Sequence, residues 1–154
     1  MFSRLQFGLM AGVLALSVGA GVALAAMSPD DAIKARQACM KDGHGGVMKI
    51  AVPMVKGEQP FDAAALKAAY DNEDAKCKDW SMWWGDDTQK GSVKTYALPT
   101  IWTDKAGFEA AGKAWYDADV KLRAATDEAS FKAAFPAVGK ACGDCHKKFR
   151  APLE

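Results

Sequence analysis

The sequence has almost no net charge: 20 Lys and Arg stand against 19 Asp and Glu. A balanced surface excludes nucleic acid as a partner, because replacing phosphate counterions needs a basic stripe. It equally argues against strong binding to anionic lipid. No segment alternates apolar and polar residues as a half-buried strand would, and there is no internal repeat or low-complexity tract. Sheet-based folds are thereby excluded. What remains is rich in Ala, Lys, Asp and Glu, a composition that favours helix.

A long apolar run occurs at the N-terminus. Arg4 is its sole charge, and from Phe7 to Ala26 only Ser17 and glycines interrupt it. The run ends in Ala23-Leu24-Ala25-Ala26, a small-residue cleavage signal. Residues 1–25 are therefore expected to be a secretory signal peptide cut after Ala25. The alternative is a retained anchor, since the run is almost long enough to span a bilayer. The small residues favour cleavage, which predicts export to the periplasm with no membrane span afterwards. Without Arg4 the chain holds 19 basic and 19 acidic side chains. Residues 26–154 suffice for one domain with one core.

Cysteine is scarce, with four residues: Cys39, Cys77, Cys142 and Cys145. Cys142-Gly143-Asp144-Cys145-His146 is C-x-x-C-H, the attachment signal of a c-type haem. Two thiols add to the two vinyl groups on one porphyrin edge, and the following His reaches the iron. On a helix these residues fall at i, i+3 and i+4 and share a face. A dithiol oxidoreductase would want the motif early in a βαβ pattern, and no strand precedes it here. A zinc site would need two more ligands, and Cys39 and Cys77 form no second C-x-x-C pair. The reading is one covalent haem c, attached at Cys142 and Cys145 and ligated by His146.

Four helical segments are expected. The first runs from Ser28 to about Val55, with Ser28-Pro29-Asp30-Asp31 as its start. Its face is read as Ile33, Gln37, Met40, His44, Val47, Ala51 and Met54, with a bend at Gly43, Gly45, Gly46 and Pro53. The second runs from Phe61 to about Trp83 on a stripe of Phe61, Ala65, Ala69, Cys77, Trp80 and Trp84, interrupted at Asp71-Asn72-Glu73-Asp74. A loop from Gly85 to Asp104 follows, and its Tyr96, Ile101 and Trp102 argue that it packs down. The third spans Lys105 to about Ala125 on a stripe of Phe108, Ala111, Trp115, Ala118, Leu122 and Ala125, and the fourth about Glu128 to Arg150. In the fourth, Phe131, Phe135, Val138, Cys142, Cys145 and Phe149 form one stripe, so the haem cysteines belong to the buried face. Pro136 is expected to kink it. The fold class is all-α: an antiparallel up-down-up-down four-helix bundle with haem near one end.

Eight residues follow His146, and none is Met or His. A sixth iron ligand must come from upstream. Arg36-Gln37-Ala38-Cys39-Met40, Pro60-Phe61-Asp62-Ala63-Ala64, Ile101-Trp102 and the stretch Gly139 to Arg150 resemble the class II c-type cytochromes, the cytochrome c prime family with its low-spin cytochrome c-556 type. The resemblance covers nearly all of the chain beyond residue 25. It implies a periplasmic bundle, monomeric or dimeric through its first two helices. It implies either of two distal sites. High-spin members leave the iron five-coordinate and bind nitric oxide or carbon monoxide. Low-spin members bind a first-helix Met sulfur and carry electrons between periplasmic redox partners. The deciding position, fourth after the Arg, is Met40 here.

Met40 either ligates iron, as a soft thioether that raises the reduction potential, or packs against the haem. His44, one turn on, could compete, but its glycine-flanked run reads as flexible and solvent-facing. By resemblance Arg36 meets a haem propionate with Gln37 beside it, a match of guanidinium to carboxylate; the alternative is an ion pair with Asp31. Lys147, Lys148 and Arg150 either form a basic collar that steers an acidic partner or complement the helix dipole. Cys39 and Cys77 lie outside the family pattern. In a helical hairpin, residues at equal height sum to a constant, and the midpoint of 39 and 77 is Glu58, in the expected turn. This predicts a Cys39–Cys77 disulfide in an oxidising compartment, against two free buried cysteines. Paired carboxylates and a Ser/His/Asp set are lacking near the motif, so an enzyme is not expected.

Overall fold

A computed structural model describes residues 27–153, so the expected signal peptide and its cleavage point lie outside the described residues. The chain is an all-helical bundle of four rods. The first rod is α1 (Pro29–Ala38), a π-helical turn (Cys39–His44) and α2 (Gly45–Lys56), continuous in sequence. The others are α3 (Ala63–Cys77), α5 (Lys105–Arg123) and α6 (Glu128–Phe149), with a short α4 (Thr100–Thr103) before α5.

Local chemistry sets the ends. Ser28 Oγ accepts the Asp31 N–H at the start of α1, with Pro29 in the first turn. Asp62 caps α3 through the N–H groups of Ala64 and Ala65, each at 2.9 Å. Gly57 ends α2 in the left-handed region at φ 74°, where a side chain would be strained. Asp127 and Ser130 form a capping box at the start of α6.

The main core is built from Val47, Ala51 and Met54 of α2, Leu66 and Tyr70 of α3, Ala118 and Leu122 of α5, and Phe131 and Val138 of α6. The stripes expected for α5 and α6 match the observed faces. The two expected for the first half of the chain need correction. On the first rod the buried positions are Ala32, Ile33, Arg36, Cys39 and Gly43 before Val47, while Gln37 and Met40 are exposed. On α3 the buried face is Leu66, Tyr70 and Glu73, not Ala65 and Ala69, which are only partly buried. The second helix also stops at Cys77; Trp80–Trp83 is a separate 3₁₀ turn.

The expected bend at Gly43–Gly46 is instead the π turn. The Gly45 N–H reaches back to Met40 O, an i to i+5 bond that admits one extra residue without breaking the rod. His44 is consequently helical and mostly covered, with 18% of its side chain exposed, rather than solvent-facing. α6 runs through Pro136 as one helix.

The long connection packs down as expected and acts as a strap across one end of the bundle. On one side Asp30 accepts the N–H groups of Ser92 and Val93 at 2.7 and 3.1 Å, and Gln37 Nε2 donates to Lys94 O at 2.7 Å. Gly91 suits the point where the strap crosses α1: a Cβ there would lie 2.0 Å from Asp30 Oδ1, so that carboxylate would have to shift from its hold on the strap. On the other side Leu98 N–H donates to Phe149 O, Ala151 N–H to Tyr96 O and Thr100 Oγ to Lys148 O. The strap thus ties the start of the first rod to the end of α6. None of the helices among the described residues is long and apolar enough to cross a membrane.

Candidate haem-binding site

Cys142, Cys145 and His146 emerge within little more than one turn of α6, on the face that also carries Phe131, Val138 and Phe149. Cys142 packs against the main core. Cys145 packs against a second cluster of Ile101, Trp102 and Phe149 at the strapped end. The two sulfurs therefore straddle the boundary between the core and the closed end of the bundle. Both are half-buried, and neither is in a disulfide. Burial pushes both thiols up, and for Cys142 the neighbouring Cys145 adds to it. His146 is half-buried as well. Burial, then Arg150 and His44, pushes its pKa down, which favours the neutral imidazole that a metal requires.

The surrounding donors fit an acidic cofactor edge. Arg36 is 5% exposed. Its guanidinium lies 4.7 Å from the Trp84 ring centroid and 5.6 Å from that of Trp102. Nε donates to Ala32 O at 3.1 Å and Nη2 to Thr88 O at 2.5 Å, yet Nη1 is buried with no partner. Trp84 Nε1 and Arg150 Nε are also buried and unpaired. These three orphaned groups are all donors, and a buried unmatched donor costs about 1–3 kcal/mol. A carboxylate-bearing group such as a haem propionate is what such donors lack. Gln37 differs: its amide is engaged by the strap at Lys94 O.

Met40 lies within the π turn and is 37% exposed, so it is not taken up by the apolar core. His44 is committed elsewhere. Its Nδ1 is hydrogen-bonded to Glu73, its Nε2 faces the sulfurs of Cys39 and Cys77, and its ring lies edge-on to Trp115 at 4.6 Å. The Cys39–Cys77 disulfide is present, with Cα atoms 5.0 Å apart, as the hairpin register predicted. It fixes the residue next to Met40 to the end of α3. The basic collar is partly neutralised: Lys148 Nζ lies 2.6 Å from Asp104 and Lys147 Nζ 3.9 Å from Asp144.

Sequence reasoning missed the buried ionic network behind this face. Glu73 accepts from His44 on one side and from Arg123 Nη2 on the other, at 2.5 Å. Arg123 Nε also holds Asp119 at 2.6 Å, and its Nη atoms hold Asp74. The signal was available: Leu66, Tyr70, Glu73 and Cys77 recur at spacings of four, three and four.

A sequence profile of the family described as Cytochrome C' matches residues 31–150. A cytochrome c' of Alcaligenes xylosoxydans xylosoxydans is 36% identical over 102 residues, covering 64% of this chain and 74% of that protein. A cytochrome c-556 of Agrobacterium fabrum is 36% identical over 99 residues, covering 63% and 65%. Among solved structures, cytochrome c' from Rubrivivax gelatinosus superposes with a TM-score of 0.72 at 35% identity, covering 80% of this chain and 98% of that one. A nitric oxide complex of a cytochrome c prime variant from Alcaligenes xylosoxidans gives 0.69 at 34% identity, with 81% and 98% covered.

Proposed function

The chain belongs to the cytochrome c' family, and from that premise we propose that it is a periplasmic carrier of single electrons whose iron is held by His146 and Met40. Proteins of this family carry covalently bound haem c. The haem supplies a one-electron iron couple when bound. Cys142 and Cys145 would attach it, His146 would ligate its iron, and Arg36 Nη1 would offer a buried cation to a propionate. The strap from Gly85 to Asp104 packs over that end of the bundle.

One observation carries the choice of an electron carrier. Met40 lies within the π turn and stays partly exposed, while the competing His44 is engaged by Glu73 and the disulfide sulfurs. A thioether on iron closes the coordination sphere, so little rearranges when the electron moves, and Met/His ligation raises the potential. The ferric spectrum tests this. A low-spin spectrum with a sulfur-to-iron band near the red edge of the visible is expected, and Met40→Ala should abolish that band. An unaltered spectrum in the variant rejects the ligation.

A second reading is an open iron that binds nitric oxide or carbon monoxide. It is favoured by the nitric oxide complex of the similar Alcaligenes protein. In that reading Met40 packs beside the iron without bonding to it.

A further inference from the structure

One cluster of metal-ligating side chains stands apart from the haem motif. Cys39 Sγ, Cys77 Sγ and a ring nitrogen of His44 all lie within 4.8 Å of one another. His44 Nε2 is 3.5 Å from Cys39 Sγ and 3.9 Å from Cys77 Sγ. In a tetrahedral zinc site with Zn–S near 2.3 Å and Zn–N near 2.0 Å, the sulfur-to-nitrogen edge is about 3.5 Å and the sulfur-to-sulfur edge about 3.8 Å. Two of the three protein edges are therefore already close to a zinc tetrahedron. Only the sulfur–sulfur edge has to open from a covalent bond.

The surroundings match as well. A metal-bound His characteristically gives its other ring nitrogen to a carboxylate, which fixes tautomer and orientation. His44 Nδ1 is hydrogen-bonded to Glu73, a residue 3% exposed and itself held by Arg123. Trp115 braces the ring from the side. Gly43 leaves room beside Cys77: a Cβ there would stand 3.0 Å from its sulfur. Cys39 is fully buried and Cys77 only partly, so of the two residues Cys77 is the one nearer solvent.

We propose that Cys39, Cys77 and His44, when the disulfide is reduced, form a site for a borderline divalent cation of the zinc type, with Glu73 as the carboxylate behind His44. A dithiol reductant opens the bond: one of its thiolates attacks Cys77 Sγ and Cys39 leaves. Its second thiol then resolves the mixed disulfide. The protein gains two electrons and two protons, and the reductant closes into its own disulfide. Zn²⁺ then displaces the two thiol protons, forming two Zn–S bonds and one Zn–N bond to Nε2, and water completes four-coordination. The site switches with redox state: closed to metal when oxidised, metal-binding when reduced. It does not rest on how the iron is ligated.

The test uses the haem-loaded protein. One sample is kept oxidised. Another is treated with a dithiol, freed of it anaerobically and shown to hold two reactive thiols. Both are dialysed against zinc chloride, and bound zinc is counted by elemental analysis, with the haem spectrum as the check on folding. One zinc per chain is expected in the reduced protein and none in the oxidised protein or the Cys39→Ser/Cys77→Ser variant. Glu73→Gln should weaken zinc binding 10- to 100-fold, and His44→Ala should weaken it further. A reduced protein that retains no zinc overturns the proposal. So does zinc retention indifferent to His44→Ala, or a disulfide that stays closed to the dithiol in the folded protein.

Discussion

Arg123 Nη2 donates to Glu73 Oε2 across 2.5 Å, joining α5 to the buried face of α3. Burial alone would lower the guanidinium pKa, but its hydrogen bonds to Asp74 and Asp119 outweigh burial and the net displacement is upward. The arginine stays charged, and Glu73 and Asp119 depend on it. Arg123→Leu leaves a carboxylate only 4% exposed without its cation. Removing one partner of a buried pair costs about 3–5 kcal/mol. Because a quarter of the Arg123 side chain is exposed, the lower end is expected. Urea unfolding followed by circular dichroism measures this, and Arg123→Leu with Glu73→Leu should lose less than the sum of the single variants.

Arg36 serves the strap and the candidate site together. Arg36→Leu removes the donor to Thr88 O and the cation stacked on Trp84. Two outcomes are expected. Amides from Asp86 to Lys94 exchange hydrogen faster, because the strap loses its buried anchor. The haem reduction potential falls, because a buried cation near a propionate no longer disfavours the oxidised, more positive state. Arg36→Lys restores the charge without the fork and should recover the potential better than the exchange protection. An unchanged potential in Arg36→Leu would remove the propionate role.

Asp127 gives a pH signature. The Ser130 N–H, then the Ser130 hydroxyl, hold its carboxyl below the ordinary value of 3.8. The folded chain therefore binds this proton less readily than the unfolded one. The contribution to stability is complete above the ordinary value and is lost as pH falls through the lowered one. Asp127→Asn keeps an N-cap acceptor but not the charge. The difference in urea midpoint between wild type and variant should be constant from pH 7 to 5 and shrink below pH 4.

Much of this was legible in the sequence because helical periodicity and the C-x-x-C-H spacing are local signals. The ends of α5 and α6 fall within two residues of expectation, since Asp104 and Asp127 cap them and their stripes are unbroken. The disulfide was legible because two antiparallel rods of equal rise place Cys39 and Cys77 level. The π turn was not, because an i to i+5 bond at Met40 has no compositional mark, and glycines there read as a bend. The register of the buried face before that turn therefore differed from the one expected. Glu73 was set aside as polar, although its spacing to Tyr70 and Cys77 put it on the inner face. Its burial depends on Arg123, fifty positions away, which no local pattern reveals.

The most direct test of the central claim is to reduce the purified haem protein and add carbon monoxide. Met40 on the iron predicts that the ferrous spectrum does not change at gas concentrations that saturate Met40→Ala. Stoichiometric formation of a carbon monoxide complex by the native protein, equal to that of the variant, would contradict the account.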